Sequence, residues 1–213
     1  MGVRTIVHVM RHGEVYNPSK ILYGRIPGFR LSQLGEEMAE VVAASLAKND
    51  ITYVVASPLE RAQQTATPIA KIHNLTLATD HNLIESENIF EGQRISVGDG
   101  VLRKPRTWRH LWNPFRPSWG EPYVKVAARM RNAIEDARKN AVGHEAVCVS
   151  HQLPIWVARL DAEKRSFFHD PRKRQCNLAS LTTFVFDDEK LVSVQYSEPA
   201  AELVERSTKG VGA

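Results

Sequence analysis

The sequence predicts an α/β fold, and three observations carry that reading. Thr5–Met10, Tyr53–Ala56 and Ala146–Ser150 are short apolar runs rich in β-branched residues, as strands buried on both faces are. The second and third run directly into segments that open like helices. The intervening stretches repeat apolar residues at helical spacing, and strand alternating with helix is the pattern of an α/β domain. At 213 residues the chain is long enough to bury one substantial core, and we read residues 1–213 as a single domain.

Taken in order, the first strand ends in Arg11-His12-Gly13-Glu14, which stands them at the lip of a cleft, because ligands collect beyond the carboxyl ends of such strands. The loop from Tyr16 to Arg30 is rich in Gly, Pro and polar residues and forms a wall of that cleft. Ser32 is an N-cap with Glu36 and Glu37 in the first turn, and Leu34, Met38, Val41, Val42 and Leu46 give an amphipathic helix over 33–48. After the second strand, Ser57 and Glu60 read as a capping box with Pro58 at the first helical position. A helix start fed by a strand is an anion site, and Arg61 in its first turn adds a planar fork of donors.

Thr76–Thr79 reads as a third strand. Behind it, Leu83-Ile84-Glu85 offers a carboxyl group that burial would turn into a proton donor, whereas Glu87 reads as a solvated acid. Residues from about 86 to 120 lack periodicity and read as an irregular cap. Arg94, Arg103, Lys104, Arg106, Arg109 and Arg116 meet only Asp99 there, and Trp108, Trp112 and Trp119 would pack it down. Glu121-Pro122 opens a helix to about Lys139 with Val126, Met130, Ile134 and Ala137 on its apolar face. The strand Ala146–Ser150 ends in His151-Gln152, where another helix begins. Lys164, Arg165, Arg172, Lys173 and Arg174 read as a solvated loop, with a rim of the site as the alternative. A β-hairpin over Leu181–Phe186 and Leu191–Tyr196 closes the fold, and the tail from Ser197 reads as loose.

Composition narrows the function classes. The net charge of +4 suits anionic substrates without implying nucleic acid, and a basic aromatic cap alone does not make a strand-tracking groove. Two cysteines make no disulfide framework, and Cys148 sits in an apolar run, so a reducing, cytoplasmic setting is expected. No apolar run has transmembrane length, and signal-peptide and myristoylation patterns are missing.

The candidate site thus gathers Arg11, His12, Arg61, Glu85 and His151. Two guanidinium forks and a donating imidazole match phosphoryl oxygens, a neutral His can attack phosphorus, and a carboxylic acid can protonate the departing alkoxide. Guanidinium groups supply the positive charge, so neither metal nor cofactor is expected. His8 and His12 are spaced like helical zinc ligands, but four residues of strand span about 13 Å, too far for one ion. Gly-x-Ser-x-Gly, P-loop and dinucleotide fingerprints are missing.

These residues resemble the histidine phosphatase superfamily, also called phosphoglycerate mutase-like. Arg11-His12-Gly13-Glu14 is similar to its nucleophile motif, and Ser57-Pro58-Leu59-x-Arg61-Ala62-x-Gln64-Thr65-Ala66 to its second motif. Leu83-Ile84-Glu85 with Glu91-Gly92 resembles its general-acid segment, Val149-Ser150-His151 its second-His motif, and Gly120-Glu121 a further feature near the pocket. The resemblance implies a three-layer α/β/α sandwich with a mostly parallel sheet. It also implies a phosphohistidine at His12, phosphoryl binding by Arg11, Arg61 and His151, and proton donation by Glu85. Asn17, Gly24, Arg25 and Gln152 become substrate-binding candidates. The sequence departs from the family at Val15, at Asn17 (one residue early), at Gln152 (usually Gly) and in lacking an Asp before Leu31-Ser32. The expected activity is metal-independent hydrolysis of small phosphomonoesters, with a phosphoglycerate mutase or a phospho-ligand-binding module as alternatives. The expected partner is a small phosphorylated molecule, with no nucleic acid or membrane and with a homodimer allowed.

Overall fold

The structure, a computed structural model, describes residues 2–94 and 120–207. Most of the expected cap, including Arg103, Lys104, Arg106, Arg109, Arg116 and the three Trp residues, lies outside the described residues. The elements are β1 (Arg4–Arg11), α1 (Gln33–Leu46), β2 (Ile51–Ala56), α2 (Glu60–Ile72), β3 (Ala78–Thr79), α3 (Tyr123–Asn140), β4 (Glu145–Ser150), α4 (Gln152–Ala162), β5 (Leu181–Asp187), β6 (Lys190–Ser197) and α5 (Ala201–Val204). Short 3₁₀ turns occupy His81–Leu83 and Pro171–Lys173.

The six strands form one sheet in the order β3-β2-β4-β1-β5-β6. β3, β2, β4 and β1 run parallel, and β5 and β6 return antiparallel at the edge. Side chains alternate across β4: Ala146 and Cys148 join the core beneath α3 and α4, while Val147 and Val149 join the core beneath α1 and α2. Both faces are therefore covered, which makes this the expected three-layer sandwich and explains why β1, β2 and β4 read as unbroken apolar runs. Val126, Met130, Ile134 and Ala137 are the buried stripe of α3. A fully buried Val, Met or Ile contributes about 1.5–3 kcal/mol, so this stripe offsets part of the ordering cost of an 18-residue helix that has no side-chain N-cap bond.

Three local expectations need correction. Ser32 does cap α1, accepting from Gly35 N–H, but the Ser57–Glu60 box does not form. α2 starts at Glu60 with Leu59 as its N-cap, because Ser57 Oγ lies 2.8 Å from His151 Nε2 and Glu60 Oε1 accepts from Gly28 N–H at 2.9 Å. The third strand is only Ala78–Thr79, paired with Val55 and Ala56 of β2. The tail is not loose at Ser197: Ala200 is buried, and Leu203 and Val204 of α5 pack against the α1/α2 core.

The order of strands opens the site. The helix after β1 lies on one face and the helix after β4 on the other, so the chain diverges between these two neighbours and leaves a crevice at their carboxyl ends. Register places Arg11 opposite Ser150, so His12 and His151 leave the sheet side by side.

Candidate active site

His12 follows β1 and is fully buried. Its backbone is pinned on both sides: its N–H donates to Ser150 O, and its carbonyl accepts from Ala179 N–H. Its ring Nδ1 lies 2.8 Å from Gly13 O, a contact that only a protonated Nδ1 makes, so in the neutral ring the Nε2 lone pair is free. Burial first, then Arg61 and Arg11, hold its pKa well below the usual histidine value and keep the ring neutral. The turn after it is tight. A Cβ on Gly35 would stand 2.0 Å from Glu14 O, so α1 meets the loop after His12 backbone to backbone. Thr65 of α2 joins the same corner, accepting from Gly13 N–H and donating to Arg61 O.

Arg61, in the first turn of α2, is fully buried with its guanidinium 4.7 Å above the Tyr23 ring. One NH2 group donates to Gly24 O at 2.6 Å. Arg11 donates from NH1 to Cys176 O at 2.8 Å. His151 sits 5.2 Å from His12 between ring centroids. His151 Nε2 lies 2.8 Å from Ser57 Oγ, whose hydroxyl also accepts from Leu59 N–H, so the second ring is held in place by the strand exit of β2. Burial and the neighbouring arginines also push the His151 pKa well down. Glu85 is buried and accepts from Ser86 N–H through Oε1. Burial raises its pKa against the opposing pull of that bond and of Arg61 and Arg11, so its acid form survives to higher pH than an ordinary glutamate's.

All five core candidates come together, and all keep buried polar atoms without a protein partner: Arg11 Nε, His12 Nε2, Arg61 Nε and NH1, His151 Nδ1 and Glu85 Oε2. Each such atom costs about 1–3 kcal/mol if left unmet. Five ring or guanidinium nitrogens and one carboxyl oxygen, all buried without a protein partner, are the groups from which a cradle for an oxyanion can be built.

The remaining candidates take supporting places. Asn17 closes its own loop, donating to Ile21 O and accepting from Ile21 N–H. Gly24 offers its carbonyl to Arg61. Arg25 clamps the acid segment, donating from Nε to Glu85 O, from NH1 to Glu87 and from NH2 to Glu121. Glu121 is shared with Arg129, which also holds Asn82 O. Gln152 reaches Cys176 O, the carbonyl that also receives Arg11. Glu87 is mostly exposed, as expected. His8 is engaged by Thr183 and Glu145, and among the described residues no three His, Cys, Asp or Glu side chains gather as a metal site. Sequence reasoning missed the Ser57–His151 contact and the Tyr23 shelf under Arg61, while Arg174, from the basic run read as a solvated loop or a rim of the site, turns towards Gln152.

Sandwich, crevice and the gathered side chains together define a class of α/β protein with two buried imidazoles and a buried acid at the carboxyl end of a mostly parallel sheet. The family model described as histidine phosphatase superfamily (branch 1) matches residues 7–199, and the chain belongs to that superfamily. It is 57% identical over 201 residues to the uncharacterized protein Rv0525 of Mycobacterium tuberculosis, covering 94% of this chain and 100% of that one. It is 29% identical over 155 residues to the probable phosphoglycerate mutase GpmB of Photorhabdus laumondii, covering 70% of each. Among solved structures, the mycobacterial glucosyl-3-phosphoglycerate phosphatase Rv2419c superposes with a TM-score of 0.72 over 92% of this chain and 98% of that one. At 23% identity that likeness speaks for the fold.

Proposed function

We propose that the protein is a phosphatase that hydrolyses small phosphomonoesters through a phosphohistidine on His12. The observation that supports the reading is the set of buried polar atoms without a protein partner on Arg11, His12, Arg61, His151 and Glu85, with burial holding the His12 pKa down and the Glu85 pKa up. His12 Nε2 attacks phosphorus, the bond to the ester oxygen breaks, and Glu85 Oε2 gives its proton to the leaving alkoxide. Gly13 O, at 2.8 Å from Nδ1, steadies the positive charge that the phosphorylated ring acquires. Water then attacks phosphorus, ionised Glu85 takes its proton, and the P–N bond breaks to return neutral His12. Arg11, Arg61 and His151 hold the non-bridging oxygens throughout, so no step calls on a metal ion. The substrate is a small phosphorylated molecule.

The test is a rapid acid-free quench during turnover of nitrophenyl phosphate with chelator present. An acid-labile, base-stable phosphate on His12, and loss of turnover in His12→Ala, are expected. Undiminished turnover by His12→Ala refutes the mechanism.

One observation favours a second reading, in which the phosphoryl group returns to a sugar acid: the 29% identity to a probable phosphoglycerate mutase. Product analysis separates the two, since a phosphatase releases inorganic phosphate and a mutase conserves the ester.

A further inference from the structure

The arginines sort into two groups by what neutralises them. Arg25, Arg129, Arg138 and Arg159 are shielded from solvent, and each meets a carboxylate. Among the described residues, the shielded arginines without one are Arg11, Arg61 and Arg174. Two of these three flank His12. The third, Arg174, follows the 3₁₀ turn Pro171–Lys173, in the run that reads from sequence as a solvated loop with a rim of the site as the alternative.

Arg174 is positioned, but by neutral groups. Its Nε donates to His169 Nε2 at 2.9 Å. His169 Nδ1 donates to Phe167 O at 2.7 Å, which fixes the tautomer that accepts from Arg174. The His169 ring is itself wedged beside Tyr123 of α3 and Trp156 of α4, each 5.9 Å away. Arg174 NH1 points at Gln152 Oε1, a long contact of 3.5 Å. Gln152 Nε2 in turn leans on Cys176 O, the carbonyl that Arg11 NH1 grips. Arg174 is therefore joined to the phosphoryl cradle through one side chain and one shared carbonyl. Glu85 and Arg11 are close enough to act on it electrostatically, while burial works against its charge. Partial burial of an unneutralised guanidinium is costly, and its NH1 points towards Gln152, the side chain that also touches the carbonyl gripped by Arg11.

We propose that Arg174, set by His169 and Gln152, is a specificity residue that binds a carboxylate carried by the phosphorylated substrate. This deepens the phosphatase reading and rests on it. A carboxylate fits better than a second phosphate, because the described residues bring one guanidinium here, whereas they bring two guanidiniums and two imidazoles to the dianion at His12.

The test compares three ligands built on a two-carbon chain: ethyl phosphate, phosphoglycolate and ethylene glycol bisphosphate. Dissociation constants are measured by calorimetry on His12→Ala protein, which holds ligand without consuming it, with and without Arg174→Met. A charge-assisted fork predicts phosphoglycolate roughly 10–100-fold tighter than ethyl phosphate, and a ratio near one after Arg174→Met. Arg174→Lys keeps part of the ratio, and it replaces the Met variant if that one melts early. Equal affinities for the first two ligands, or a ratio that survives Arg174→Met, overturn the proposal. A preference for the bisphosphate that Arg174→Met removes overturns the choice of carboxylate. The phosphatase reading fails separately, if protein with His12 intact binds these ligands and releases no phosphate.

Discussion

Replacing Glu85 by Gln isolates one proton. Glu85 Oε1 accepts from Ser86 N–H, so the acid proton belongs on Oε2, the oxygen without a protein partner. In Glu85→Gln the amide oxygen keeps the Ser86 bond and the NH2 group takes the place of Oε2. Shape and hydrogen bonding persist, and only transferable acidity is lost. General acid catalysis is worth about 10²–10⁴-fold, or about 3–5 kcal/mol of barrier, for a strongly basic alkoxide. A nitrophenolate leaves without that help, so its phosphorylation step should slow far less. The assay is single-turnover kinetics with an alkyl and a nitrophenyl ester side by side, which avoids product release. Stability gives an independent reading with a definite sign. Burial raises the folded pKa of Glu85 above 4.5, so the folded state resists ionisation more than the unfolded chain does. Below pH 4.5 both are protonated and the two proteins should melt alike. As pH rises through the folded pKa, wild type pays for a buried charge and the Gln variant does not, so the variant should melt higher at neutral pH. Equal slowing of both esters, together with a lower melting point at neutral pH, would refute the reasoning.

The other expectations concern the cradle, the imidazoles and the corner beneath them. Arg61→Ala should cost at least ~2–4 kcal/mol of transition-state stabilisation in kcat/KM while melting near wild type, and normal catalysis with a collapsed fold would reverse the assignment. Because the His12 and His151 pKa values are held well below 6.5, kcat/KM should show no acid limb at 6.5. Those histidines protonate more readily when unfolded, so stability should fall as pH drops below 6.5, and a denaturation series across that range checks it. Gly35→Ala would normally gain about 1 kcal/mol of helix propensity, but a Cβ 2.0 Å from Glu14 O must displace backbone. A net loss of about 1–3 kcal/mol with a matching fall in activity is expected, and a stabilised variant would show that the corner yields.

What the sequence made legible follows from how local the signal was. β1, β4 and α3 announced themselves because covered faces demand continuous or periodic apolar residues, and Ser32 caps the helix beside it. Ser57 misled for the same reason: its neighbours match a capping box, yet its hydroxyl answers to His151, 94 residues away. Arg25 and Arg174 belong to the same category. Nothing beside them in the chain distinguishes an arginine turned inward from one in water, since their partners arrive from other elements. Arg11, His12, Arg61 and His151 were legible because each ends a strand or opens a helix, where an α/β sheet delivers side chains to one place, while Glu85 stands two residues past a 3₁₀ turn and was legible through its Leu83-Ile84-Glu85 segment.

The pairing of β1 with β4 has a kinetic consequence. Arg11 and Ser150 are neighbours across the ladder, but α1, β2, α2, β3 and α3 all lie between them in the chain. Contacts of such long sequence separation close late and slowly. Until that seam is zipped, His12 and His151 belong to separate pieces of chain and no cradle exists. Regain of turnover after dilution from denaturant should therefore trail the recovery of helical signal, making this protein's own chemistry a clock for the final closure of its sheet.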